Sequence, residues 1–376
     1  MSVRWLAESV RRGRDPSSGS ELVQLTSSPV ISDCIYGEQP PCTPDGVRIA
    51  FLRYLHSGDP NRELWVCDLE AMRVARVGGP VLSVGCRAYS GFVYYETVKR
   101  GRRVLVELSL ETLEAEEVFD TSGLPRFMVL GTVSPDGRYY VGMARLGLRR
   151  YALIRLDLRG GEWRVIHERP DLINPHPQFE PGRGLDVLVQ WNRGGLLDEA
   201  GNIVRLVGEE GATLYVIDRD GGSMRQLPVG RPYTAPITGH ECWVGRTGEV
   251  VLTIGLPWRE AVERGNVLAV RPGEASARVV SKGPPVCHIS ASRDGRFFIG
   301  DELSSPGKPI VVGSMRTGRR AVLCRTMTSA GSAQYTHPHP YMTADNGWVI
   351  FNSDRTGVPQ LYAASVPDRF LESLEG

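Results

Sequence analysis

Short apolar runs recur along the whole chain, each opened by a polar turn. "VRIAFLRYL" follows Asp45-Gly46, "RYYVGMARL" follows Asp136-Gly137, "RFFIGDEL" follows Asp294-Gly295 and "WVIFNSD" follows Asn346-Gly347. The runs are rich in aromatic and β-branched residues, which favour strands. Asp-Gly and Asn-Gly supply the positive φ angles that tight turns need. A strand–turn–strand phrase comes next in most copies: "ELWVCDLEAMRVARV" from Glu63, "RVLVELSLETLEAEEV" from Arg103, "YALIRLDLRGGEWRVI" from Tyr151, "TLYVIDRDGGSMRQL" from Thr213 and "QLYAASVP" from Gln360.

The unit returns roughly every 45–50 residues, the spacing of four-stranded propeller blades. Blades fall at 42–77, 88–118, 133–166, 178–227, 240–280, 291–323 and 341–366. The pattern therefore predicts an all-β fold: one seven-bladed β-propeller domain over residues 1–376, with four-stranded blades. The segment "ELVQLTSS" (21–28) is expected to supply the outer strand of the last blade and close the ring, which removes exposed sheet edges. Residues 1–20 and the tail 368–376 lie outside the blades in this reading. Residues 3–13 and "DRFLESLEG" are read as short helices.

Composition narrows the partners. A formal charge of +1 over 376 residues gives no basis for binding nucleic acid or an anionic membrane. No apolar run approaches the length of a membrane-spanning helix, and the first residues lack the apolar core of a secretory signal. Seven dispersed cysteines form no Cys-x-x-Cys pair, so reduced thiols in a cytoplasmic protein are expected.

The histidines carry the chemistry. His56 and His167 lie in polar stretches and are expected at the surface. The others stand just ahead of strands that open blades: "NPHPQFEP" (His176), "TGHECWVG" (His240), "PVCHISASRDG" (His288) and "THPHPYMTADNG" (His337, His339). A lone histidine in such a place is most often a hydrogen-bonded turn residue. Inner strands of a propeller line one channel, however, so these histidines are expected to converge at one mouth. In "QYTHPHP" (334–340), His337 and His339 are two apart, and in an extended segment they face the same side. The prolines stiffen that stretch. Gln334 and His288 are further candidate ligands. Imidazoles with one amide oxygen suit Mn, Fe, Zn, Ni or Cu, and such a set leaves positions open for substrate, the logic of a catalytic centre. Cys242 and Cys287 flank the histidines and are expected to point into the core.

Over most of its length the sequence resembles the oligogalacturonate lyases, seven-bladed propeller lyases of pectin breakdown. The likeness is carried by "QYTHPHPYMTADNGWVIFNSDRTGVPQLYAASVP" (334–367), "PPVCHISASRDGRFFIGDE" (284–302) and "TGHECW" (238–243), with weaker parallels in "EQPPCTPDGVRIAF" and "NPHPQFEP". The resemblance implies Mn²⁺ held by His288, Gln334, His337 and His339, with His240 as base. It also implies Gln39 and His176 as channel-facing or substrate-binding residues, and a small acidic oligosaccharide as substrate. The implied reaction is β-elimination from a uronate: a base takes the C5 proton, the C4 oxygen leaves, and a metal beside the carboxylate offsets the developing charge.

One region departs from the family. Its fourth blade carries a catalytic arginine, where this chain has Thr213. The preceding motif is replaced by "VQWNRGG" (189–195), followed by the insert "LLDEAGNIVRLVGEEG" (196–211). Arg193 and Arg231 are candidates to replace the charge, Trp191 and Asn192 candidates for a sugar platform, and Glu241 a candidate to orient His240. Two alternatives stay open. One is a divergent metal-dependent isomerase, epimerase or eliminase acting on another carboxylate or keto-sugar, including one of secondary metabolism. The other is a non-catalytic binding propeller of the TolB kind.

Overall fold

A computed structural model describes residues 3–128 and 130–376. The chain is all-β, with strands following one another in antiparallel groups and two short helices, Trp258–Arg264 and Phe370–Glu375, among the described residues. In the first group Ile31–Cys34 pairs with Arg48–Tyr54, which pairs with Glu63–Asp68, which pairs with Arg73–Gly78. The same order repeats from Ser83 to Asp120, Gly131 to Arg169, Gln178 to Gln226, Ile237 to Ser281 and Ile289 to Arg325. The second and third groups of the chain, however, pair into one eight-stranded sheet, and so do the fourth and fifth, in place of the separate four-stranded blades expected. The seventh group is assembled from both ends of the chain: Tyr341–Met342, Trp348–Ser353 and Gln360–Ser365, with Glu21–Gln24 on the last of them.

The recurring turns share one device. In Thr43-x-Asp45, Ser134-x-Asp136, Ser292-x-Asp294 and Thr343-x-Asp345 the hydroxyl donates to the aspartate. The same hydroxyl accepts the main-chain N–H five residues on, at Arg48, Tyr139, Phe297 and Trp348. Gly46, Gly137 and Gly295 take positive φ just after the aspartate, where a Cβ would be strained. The turn thus delivers the chain directly into the next strand.

Packing follows the same order. Among the described residues, seven buried apolar clusters each lie between neighbouring groups, one of them between the seventh and the first, where Leu25, Leu361 and Tyr341 meet Ile49, Phe51 and Trp65. Alternating strand residues therefore bury on both faces of each group, which explains why the runs read as almost continuously apolar.

Three expectations need correction. Residues 3–13 are not helical: Trp5–Leu6 pairs with Arg73–Gly78, and Val10–Arg14 pairs with Glu21–Gln24. Much of segment 1–20 thus extends sheets instead of lying outside them, and the groups at the chain ends have five strands. The helix Trp258–Arg264 had no counterpart in the sequence reading. It fills the connection between Val250–Ile254 and Val267–Val270. The tail does form a helix, anchored by buried Leu374.

A buried ion pair helps to pin the N-terminal segment. Both Glu8 oxygens accept from the Arg53 guanidinium, at 3.0 and 2.6 Å, and the Glu8 carboxylate also accepts from Ser27 and Ser28. Burial pushes the Glu8 carboxyl up, but Arg53 and the serine donors outweigh it and hold it at about 2. A carboxylate depressed on folding stabilises the fold above its unfolded value of 4.5, and that stability is lost as pH falls toward 2. Glu8→Gln is expected to cost about 2 kcal/mol at neutral pH. In denaturant melts the gap from wild type should narrow as pH falls from 4.5 toward 2. A gap independent of pH would contradict the assignment.

Candidate active site

The site is built where inner strands begin. His240 lies in the strand Ile237–Trp243, whose pairing with Val250–Ile254 slips between Ile237 and Glu241. Such a bulge re-aims side chains. Gly239 makes it possible with φ +89°, and an added Cβ there would stand 3.3 Å from the Gln190 amide. His288 immediately precedes the strand Ile289–Ala291, and His339 stands two residues ahead of Tyr341–Met342.

These elements bring the rings together. The His288 ring centroid is 4.2 Å from those of both His240 and His339, and 5.2 Å from that of His337. Donor atoms of His288, His337 and His339 all lie within 4.8 Å of one another. The extended geometry assumed for Gln334–Pro340 does not hold. Gln334–Thr336 is a 3-10 turn, and His339 has φ +42°. A left-handed residue before proline is strained, so the convergence comes from a kinked backbone and not from strand alternation. Gln334 sits on that turn with an exposed side chain.

Hydrogen bonds set the tautomers. Asp301 accepts from the His288 main-chain N–H at 3.1 Å and from its Nδ1–H at 2.7 Å, leaving a lone pair on Nε2. His337 Nε2–H donates to the Gly331 carbonyl at 2.7 Å, leaving a lone pair on Nδ1. These two bare nitrogens face each other at 3.4 Å. His339 Nε2 is buried with no hydrogen-bond partner. Burial, reinforced by the neighbouring imidazoles, pushes both His240 and His339 well below the ordinary histidine range. Asp301→Asn would remove the anchor that orients His288, and metal affinity is expected to fall about 10- to 100-fold. Unchanged affinity in a metal titration would show that Asp301 does not position the ring.

Two residues that sequence reasoning passed over complete the surroundings. Between Cys34 and the bridge of Cys42 to Ile49, the first inner strand is interrupted, and the excursion 35–41 carries Tyr36 and Glu38 inward. The Tyr36 hydroxyl lies 3.2 Å from His240 Nδ1, and its ring is 4.5 Å from that of His339. Glu38 accepts from His176 Nδ1 at 2.8 Å. Both residues stand beside Gln39 in the sequence, so proximity to a suspected channel residue was the available signal. Asp301 likewise lies within the quoted "FFIGDE", on the hairpin partner of the strand that His288 opens.

The remaining expected residues fall in several places. His176 joins Glu38 and Glu241 in a second buried cluster. Burial lowers the His176 value, but the Glu38 carboxylate more than offsets this and raises it to about 9. Burial and the Glu38 charge lift Glu241 to about 8. The Glu241 carboxylate makes no hydrogen bond to His240 or to any other residue, so Tyr36 and not Glu241 contacts the His240 imidazole. Gln39 lines a cavity of about 260 Å³ with Gln178 and Cys242 and donates to the Gly131 and Pro177 carbonyls. Cys242 is buried, but the Cys287 thiol lies within 4.8 Å of His240 and His288 donor atoms, contrary to the expectation that it points into the core. His56 is exposed, whereas His167 is half-buried against the Tyr215 hydroxyl.

The arginine and sugar-platform candidates are engaged elsewhere. Arg193 donates to the carbonyls of Gly211, Glu210 and Arg231, and Arg231 to that of Glu209. The two arginines line one depression with Glu209, Glu210 and Pro232, a set without a histidine. Trp191 donates to Asp171 and lies under the Arg169 guanidinium. Asn192 is buried and donates to Ile173. Thr213 is buried, its hydroxyl donating to the Val229 carbonyl, and the insert forms a small hairpin, Leu196–Leu197 with Ile203–Arg205.

The chain is similar to known proteins. Residues 148–370 match the family model of oligogalacturonate lyase. An oligogalacturonate lyase of Dickeya dadantii is 25% identical over 94% of this chain and 95% of its own length, and an oligogalacturonide lyase of Pectobacterium atrosepticum shows the same figures. Among solved structures, an oligogalacturonate lyase in complex with manganese superposes with a TM-score of 0.71 at 22% identity, covering 98% of this chain and 99% of the other. The Vibrio parahaemolyticus oligogalacturonate lyase gives 0.70 at 21%, covering 98% of both chains. The family match supports a lyase-like function. With more than half its length matched by the family model, the chain belongs to the oligogalacturonate lyase family.

Proposed function

We propose that this chain is a single seven-bladed propeller domain, its ring closed by Glu21–Gln24 on Gln360–Ser365, and that it is a metal-dependent lyase. Its reaction is β-elimination on a small uronate-containing saccharide in the cytoplasm, where its seven free thiols remain reduced. The observation that carries the reading is the pair of bare imidazole nitrogens on His288 and His337, 3.4 Å apart, beside the orphaned Nε2 of His339. Lone pairs facing one another repel, and a shared divalent cation removes the repulsion and gives the unpartnered His339 nitrogen a partner. The three imidazoles fit such an ion, with Gln334 proposed as the fourth ligand. Bound there, Mn²⁺ or another divalent transition metal supplies positive charge against the substrate carboxylate and makes the adjacent C–H more acidic.

The residues of the chain do the rest. His240 stands beside this centre with Nδ1 at the Tyr36 hydroxyl. When Nδ1–H donates to Tyr36, Nε2 keeps its lone pair and is the atom that takes the C5 proton. The low proton affinity of His240 keeps it unprotonated at neutral pH. The cleft lined by Tyr36, His240, His288 and His339 is narrow, which limits water around the reacting carbon. A rise in ultraviolet absorbance from a 4,5-unsaturated uronate, on incubation with di- and trigalacturonate, tests the reading.

Thr213 favours a second reading. A buried threonine hydroxyl already donating to Val229 cannot supply positive charge, and Arg193 and Arg231 donate to main-chain carbonyls. The same metal and base would then act on another carboxylate or keto-sugar. Metal-loaded protein that is inert toward oligogalacturonides would select this reading over the first.

A further inference from the structure

A second set of donors meets within the same fold. Glu38 comes from the excursion 35–41, His176 from just ahead of the strand Gln178–Phe179, and Glu241 from the strand Ile237–Trp243. One donor atom of each lies within 4.8 Å of the others. The Glu38 and His176 side chains are 3% and 11% exposed, and Glu241 is fully buried. Neither Glu241 carboxylate oxygen has a hydrogen-bond partner. The donors nearby are committed: the Gln178 amide to the Glu38 carboxylate and the Glu241 main-chain carbonyl, and His176 Nδ1 to Glu38. A carboxyl group stripped of water and left with both oxygens unpartnered is costly, and its position against the Glu38 carboxylate and an imidazole is the arrangement a cation would use.

We propose that Glu38, His176 and Glu241 form a second divalent-cation site, separate from the His288–His337–His339 centre. Two carboxylates balance a doubly positive ion, and two oxygens with one imidazole suit Mn²⁺ or Zn²⁺. Glu38 and Gln178 also line the cavity of about 260 Å³, so a further ligand can reach the ion from that side. The backbone supports the assignment. His176 has φ +44° before Pro177, as His339 has φ +42° before Pro340, and in each case a strained residue turns its imidazole into a buried donor cluster. The second site does not depend on the lyase reading.

The test uses the full-length protein, stripped with a chelator and dialysed, then titrated separately with Mn²⁺ and Zn²⁺ by calorimetry, with bound metal counted by elemental analysis. Wild type is expected to hold two equivalents. Glu241→Gln should hold one, His337→Ala/His339→Ala should hold the other one, and the combined variant none. If Glu241→Gln does not fold, as judged by circular dichroism, His176→Gln carries the same expectation. A wild type with one equivalent, abolished by His337→Ala/His339→Ala and untouched by Glu241→Gln, would overturn the second site and leave the lyase centre standing. One equivalent abolished only by Glu241→Gln would do the reverse.

Discussion

His240→Ala is expected to slow elimination about 10³-fold while leaving the metal at the histidine centre in place. The C5 proton of a uronate is weakly acidic, so its removal needs a base held at the right atom. His240 is held there by a bulge, by Gly239 and by the Tyr36 hydroxyl at 3.2 Å. Its ring is 4.2 Å from that of His288, close enough to share the substrate with the metal centre. The proposed ligand set does not include it. Rate constants and metal content measured on one preparation separate the roles. Loss of metal along with activity would make His240 a ligand, and an unaltered rate would remove it from the chemistry.

The second large effect is expected from His337→Ala/His339→Ala. Removing both imidazoles leaves His288 as the one histidine of the centre and should abolish binding there and elimination with it. Folding is expected to survive, because the main-chain contacts of this segment are independent of the rings: Asn352 N–H donates to Pro338, and Ser290 to Pro340. The check is elemental analysis beside a thermal melt. A variant that folds, lacks the metal of this centre and still eliminates at the wild-type rate would refute metal dependence.

Much of the fold was legible because the repeat is written twice, in apolar runs and in turns. Ser/Thr-x-Asp followed by a left-handed Gly or Asn dictates the turns at Asp45, Asp136, Asp294 and Asp345 locally, so the strands after them could be placed from sequence. The pairing of Glu21–Gln24 with Gln360–Ser365 was legible for a related reason, since the last copy of the repeat lacks an outer strand of its own. Residues 3–13 were not. They form short strands because edges of the first and seventh groups were available to pair with them, which is tertiary context overriding local preference. At the site, the histidine set was legible from its repeated position ahead of inner strands, but the reason for convergence at Gln334–Pro340 was not. Strand alternation was the expected cause, whereas the structure uses a 3-10 turn and a left-handed His339. Tyr36, Glu38 and Asp301 escaped notice because no motif marks them. Tyr36 and Glu38 enter through a break in an inner strand, and Asp301 acts through His288. Arg193 was misjudged because a positive charge in sequence does not reveal that main-chain carbonyls surround it.

The most direct measurement is the rate of unsaturated-uronate formation as Mn²⁺ is returned to chelator-stripped protein, followed with trigalacturonate and compared with His337→Ala/His339→Ala. The account predicts no product from the stripped protein, a rate that rises as the histidine centre fills, and none from the variant at any Mn²⁺ concentration. Equal rates with and without metal, or a variant that Mn²⁺ restores, would contradict it.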